Sequence, residues 1–227
     1  MEQTTFAFVI EMFAVIAFAI SGMITAARKH MDFVGTYVLA NVTAFGGGTV
    51  RDLLLDRRPL FWVQHWEYLV FVLVMCVLFV YSRRVYESAS QWDLRFDFVD
   101  ALGLALYGVS GTVMARAAGM PLFVAPLFGV ITATFGGVTR DVVGNEIPVI
   151  FRPGGLYATA VFLGGWLVVI MPMLGVSTAS AGIIAFIAIV AMRMVSLVLH
   201  VTLPRPNWLR ELQRSDEISG ADDSRGP

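Results

Sequence analysis

The chain has 227 residues, 57% of them hydrophobic and 15% charged, with a formal net charge of −1 and a mean hydropathy of +0.74. Soluble domains carry about 25% charged residues, so this is the composition of a membrane protein. No basic cluster is present to track a phosphate backbone, which excludes a nucleic-acid binder, and the single cysteine, Cys76, excludes an intramolecular disulfide.

A membrane-spanning helix needs about 20 mostly apolar residues, and seven stretches meet that need. The first runs from about Phe6 to Ala27, interrupted only by Glu11 and Ser21. No basic flank or small-residue cleavage site accompanies it, so a retained span is expected, not a signal peptide. The second runs from after Asp32 to about Leu55, and the third from about Trp66 to Ser82. A polar connection follows, with Arg83, Arg84, Glu87, Asp93 and Arg95. The fourth covers Phe98 to Ala115, the fifth about Leu122 to Val143, the sixth about Gly154 to Leu174 and the seventh Ala179 to Leu203.

Two of these spans end alike. The second closes on Phe45-Gly46-Gly47-Gly48-Thr49-Val50-Arg51-Asp52, the fifth on Phe135-Gly136-Gly137-Val138-Thr139-Arg140-Asp141. Superposing them relates the rest of the chain at one fixed offset without a gap: Glu11 falls on Asp100, Ser21 on Ser110, Thr43 on Thr132, Pro59 on Pro148 and Tyr68 on Tyr157. Each copy holds three spans. An odd number sends the second copy into the bilayer from the opposite side, so an inverted repeat is expected. The chain then divides into a first three-helix repeat (1–82), a cytoplasmic linker (83–97), an inverted second repeat (98–174), a seventh transmembrane helix (175–203) and a disordered cytoplasmic tail (204–227). The predicted fold is an all-α integral membrane protein of seven helices, three plus three plus one, with the second and fifth broken at their glycines. Ten loop-associated Lys and Arg fall on one side, against Arg51, Arg57, Arg58 and Arg116 on the other. That bias predicts an outside N-terminus, a cytoplasmic C-terminus and a bacterial-type inner membrane.

The doubled Phe-Gly-Gly-(Gly)-x-x-Arg-Asp motif, within seven spans, resembles the prokaryotic relatives of the trimeric intracellular cation (TRIC) channels, a family whose domain is also labelled a glycine transporter. The resemblance covers about Phe6 to Leu203. It implies a homotrimer with a pore in each protomer, lined by the second and fifth helices with the first and fourth. It also implies permeation by potassium and other monovalent cations.

The polar residues admit competing readings. Glycine runs at membrane depth serve either as packing notches or as breaks exposing carbonyls to a water-filled path; three adjacent glycines favour the break at Gly46, Gly47 and Gly48, and likewise at Gly136 and Gly137. The hydroxyls of Thr43, Thr49, Thr132, Thr134 and Thr139, and of Ser21 and Ser110, either line that path or bond the carbonyl four residues back. Charge inside a span is costly, so two ion pairs are expected, Glu11–Arg51 near one mouth and Asp100–Arg140 near the other; snorkelling of each Arg to headgroups is the competing arrangement. Asp52 and Asp141 are then expected to face the mouths and concentrate cations. No catalytic triad, metal-ligand spacing or cofactor motif appears, so neither an enzyme nor a cofactor is expected. Membrane lipid is the remaining expected partner. A secondary transporter of glycine or another small amino acid is the alternative function, since transporters also use inverted repeats.

Overall fold

The computed structural model describes residues 2–89, 91, 93–152 and 155–201. Among them the chain is all-helical. In order come α1 (Glu2–Arg28), α2 (Phe33–Leu54), the short α3 (Phe61–Gln64), α4 (Glu67–Tyr81), the short α5 (Arg83–Ala89), α6 (Asp93–Ala117), α7 (Val124–Val143), a 3-10 turn (Val149–Phe151), α8 (Ala158–Met173) and α9 (Thr178–Val198). The seven long helices, α1, α2, α4, α6, α7, α8 and α9, fall on the seven expected stretches. Three stretches, Val9–Arg28, Leu94–Ala117 and Thr178–Val198, are each long and apolar enough to cross a membrane by themselves. The outward faces of α4 and α9 stay apolar: Leu78 is 67% and Ile187 59% exposed, as side chains facing hydrocarbon are.

Helix ends follow local chemistry. Asp32 caps α2 by accepting the Gly35 N–H at 2.7 Å, and Ser177 caps α9 by accepting that of Ser180 at 3.1 Å. Asp56 and Asn145 hold the same place after α2 and α7 and both take positive φ, 51° and 55°, a conformation that Asp and Asn tolerate. The connection expected to be a plain linker contains α5, which turns 92° from α4. It is pinned where the Tyr86 hydroxyl donates to the Met31 carbonyl at 3.1 Å. The fourth span starts at Asp93, ahead of the expected Phe98. The tail expected over 204–227 lies outside the described residues.

The two repeats pack about a pseudo-two-fold axis. On α1 and α6, Ser21 lies beside Asp100 while Phe18 lies against Gly103, so the helices run antiparallel. On α2 and α7 the contacts are reciprocal: a Cβ on Gly47 would stand 1.9 Å from the Thr132 carbonyl oxygen, and one on Gly136 would stand 2.3 Å from that of Thr43. Both residues of the first contact are carried to those of the second by the repeat.

These contacts correct the expected helix breaks. α2 stays helical through Gly46, Gly47 and Gly48, and α7 through Gly136 and Gly137. Successive helical residues point 100° apart, so a glycine run opens several faces at once. Gly46 and Gly47 admit α7, whereas Gly48 admits the Phe61 ring, which would lie 2.4 Å from an added Cβ. On α7, Gly136 admits α2 and Gly137 admits the Tyr157 hydroxyl, 3.1 Å from an added Cβ. Adjacent glycines are needed because different neighbours press on adjacent faces.

Candidate functional site

Each repeat ends its central helix in a buried cluster built on one arginine. Arg51 on α2 is fully buried and pairs with Glu11 of α1. Its Nε and Nη2 reach Asp52 Oδ1 at 2.9 and 2.6 Å. The other Asp52 oxygen accepts the Phe61 N–H at 2.9 Å, and Arg57 stands 3.8 Å from Asp52 at the rim. The second cluster repeats the plan. Arg140 on α7 is fully buried, pairs with Asp100 of α6, and donates through Nε to Asp141 Oδ1 at 2.8 Å. Asp141 Oδ2 accepts the Val149 N–H at 3.0 Å.

The structure thus brings together both expected pairs, and neither arginine snorkels outward. Asp52 and Asp141 do not face the mouths. They are 1% and 5% exposed and turned inward onto their own neighbouring arginines. The physical reason is charge balance: a buried guanidinium has donors to spare after one carboxylate, and a charge-assisted bond to the next residue satisfies them.

The hydroxyls follow the local pattern. Thr43, Thr49, Thr132, Thr134 and Thr139 all donate to the carbonyl four residues back, at 2.6 to 2.8 Å. Thr49 also accepts the Trp62 indole N–H at 3.0 Å, in a cleft of about 390 Å³ beside the α2–α7 crossing, where Asn41, Gly46, Phe135 and Thr139 complete the wall. The serines depart from the rule and from each other. Ser21 accepts from Arg140 and donates to Asp100 at 3.3 Å, tying α1 into the second cluster; Ser110 donates to the Met114 sulfur at 3.9 Å.

Two participants escape sequence reasoning. Tyr157 donates to Asp100 Oδ2 at 3.1 Å, and the Arg193 guanidinium of α9 lies 4.9 Å from the Tyr157 ring centre. Arg193 is 5% exposed. A lone arginine in an apolar 21-residue helix was the available signal; its aromatic partner was not legible. Since α9 has no counterpart in the repeat, it makes the second cluster chemically unlike the first.

Outside the spans, Glu146 clasps the end of α1 to the connection after α7. Lys29 Nζ and Arg152 Nη2 each lie 2.7 Å from one of its oxygens, and both interactions hold its carboxyl below the ordinary range, Lys29 most. A lowered carboxylate pKa contributes stability that is full above the unfolded value near 4.5 and is lost as pH falls through the folded one. The groups are half exposed, so the contribution is ~0.5 kcal/mol or less. Thermal unfolding measured from pH 7 down to pH 3 should show a small acid loss that Glu146→Gln removes.

Two inverted three-helix units, each closing on a buried Arg-centred cluster, define a polytopic membrane protein of the inverted-repeat class. The chain belongs to the Glycine transporter family, whose profile matches residues 8–84 and again 97–173, segments related by the same offset that carries Glu11 to Asp100. It is 35% identical over 202 residues to the UPF0126 membrane protein of Vibrio cholerae, covering 89% of this chain and 83% of that one. It is 42% identical over 148 residues to the UPF0126 inner membrane protein YadS of Escherichia coli K12, covering 65% and 70%. Its fold matches the TRIC trimeric intracellular cation channel orthologue from Rhodobacter sphaeroides with a TM-score of 0.77 at 35% identity, over 86% of this chain and 98% of that one.

Proposed function

We propose that this protein is a potassium-permeable cation channel of the TRIC type, in the inner membrane, assembled as a homotrimer with one pathway per protomer. The observation that carries the reading is the pair of inverted clusters. In each, one buried arginine meets two carboxylates, Arg51 with Glu11 and Asp52, and Arg140 with Asp100 and Asp141, and at the first the rim residue Arg57 stands 3.8 Å from Asp52. Carboxylates outnumbering the buried arginine at either end of a path favour cations over anions. The likeness to the TRIC orthologue supports the same reading. The pathway runs between α1, α2, α6 and α7, past Ser21, Ser110, Thr43 and Thr132. The two clusters hold the ends of α2 and α7 in place at its mouths.

Orientation follows from the basic residues: N-terminus outside, C-terminus cytoplasmic. A reporter fused after Pro227 is expected to read cytoplasm, and one inserted between Arg57 and Gln64 the outside; identical readings from both would refute the inverted arrangement. The family description favours a second reading, transport of glycine. Proteoliposomes separate the two. The channel reading expects rapid potassium efflux down its gradient and no saturable exchange of labelled glycine, and exchange without potassium efflux would reverse the conclusion.

A further inference from the structure

The offset that carries Glu11 to Asp100 also carries Phe18 to Tyr107, so these residues hold the same position in the two repeats. Because α1 and α6 run antiparallel about the pseudo-two-fold axis, side chains near that axis can meet their own mates across it. Phe18 and Tyr107 do so. The two rings stack with centroids 5.4 Å apart and planes 28° apart, and both residues are 0% exposed. From the same place the Tyr107 hydroxyl donates to the Ala44 carbonyl of α2 at 2.6 Å. Ala44 precedes the glycines that seat α2 on α7. All four helices of the proposed pathway therefore close on one level. Glu11 and Asp100 each lie about 10 Å of helix away from it, on opposite sides.

We propose that the Phe18–Tyr107 stack is the gate of the pathway and that the Tyr107 hydroxyl is its latch. This rests on the channel reading above. Two stacked rings make an apolar constriction between the two charged clusters, and such a constriction blocks ions by excluding water. Opening requires the rings to part, which first breaks the bond to Ala44. The latch is one-sided. Phe18 has no hydroxyl, so the Ala133 carbonyl, which the repeat relates to Ala44, receives no such bond from it. The pseudo-symmetry thus supplies its own test, because the hydroxyl can be moved from one repeat to the other without changing the pair's composition.

The experiment is single-channel recording in planar bilayers of the full-length protein, Tyr107→Phe, Tyr107→Ala and the swap Phe18→Tyr/Tyr107→Phe. Size-exclusion profile and thermal midpoint verify that each variant is folded. Tyr107→Phe keeps the ring and deletes one hydrogen bond, so the open-to-closed ratio should rise about two- to tenfold. Tyr107→Ala removes half the stack and should rise further. The swap offers the hydroxyl to Ala133 and should fall back toward the original ratio. An unchanged ratio in folded Tyr107→Phe and Tyr107→Ala, with unitary currents present, overturns the gate and leaves the channel reading standing. No unitary current from the unmodified protein or any variant overturns the channel reading and the gate with it.

Discussion

Gly47→Ala is expected to be the most damaging glycine-to-alanine substitution in α2, against the intrinsic preference of helices for alanine. Propensity alone would stabilise the helix by about 1 kcal/mol. The added Cβ, however, would stand 1.9 Å from the Thr132 carbonyl oxygen, and that oxygen belongs to a helix backbone that cannot step aside. Overpacking of this kind costs about 1–3 kcal/mol and more where backbone must move, so a net loss of about 2 kcal/mol or more is expected. Gly136→Ala, facing the Thr43 carbonyl at 2.3 Å, should behave likewise. Gly46→Ala provides the contrast, because its nearest neighbour is the Gly136 Cα at 3.3 Å and a small adjustment relieves it. Thermal unfolding in detergent distinguishes two roles. If the glycines are hinges, all three alanines raise the midpoint by stiffening the helix; if they are seats for a crossing helix, Gly47→Ala and Gly136→Ala lower it.

Removing the central arginine of either cluster should have a larger effect still. Arg51→Gln leaves Glu11 and Asp52 buried together with only the rim residue Arg57 nearby. Taking one partner from a buried ion pair costs about 3–5 kcal/mol, because the charge left behind keeps its desolvation penalty. Glu11→Gln should cost less, since Asp52 still holds the guanidinium. Adding Glu11→Gln to Arg51→Gln should recover part of the loss, as residues in direct contact couple instead of adding. Arg140→Gln with Asp100 should follow the same pattern. Arg83→Gln is the control: its pair with Glu87 is 87% and 61% exposed, and the change should leave the thermal midpoint where it is. Equal losses from Arg51→Gln and Arg83→Gln would remove the buried clusters from the account.

Features that are costly wherever they occur were legible in the sequence. Glu11, Arg51, Asp100 and Arg140 stand out because charge in an apolar span demands a partner, and one offset relates both pairs. The same offset exposed the repeat and its inversion. Features decided by an unseen neighbour were not legible. Whether Gly47 breaks a helix or seats one depends on the Thr132 carbonyl opposite it, far away in sequence. Asp52 turns inward because the chain returns through Leu60 and offers the Phe61 N–H, which no local pattern announces. The threonines were readable, since a bond to the carbonyl four residues back needs only the helix itself. Nothing local in the sequence singles out Phe18 and Tyr107; their stacking depends on the packing of α1 on α6.

On the channel reading, each protomer passes cations between its two carboxylate-rich clusters. Purified protein in a planar bilayer under a tenfold potassium chloride gradient tests it most directly. Discrete unitary currents that reverse near the potassium equilibrium potential are expected. Currents reversing near the chloride potential, or an electrically silent bilayer from protein that exchanges labelled glycine in vesicles, would contradict it.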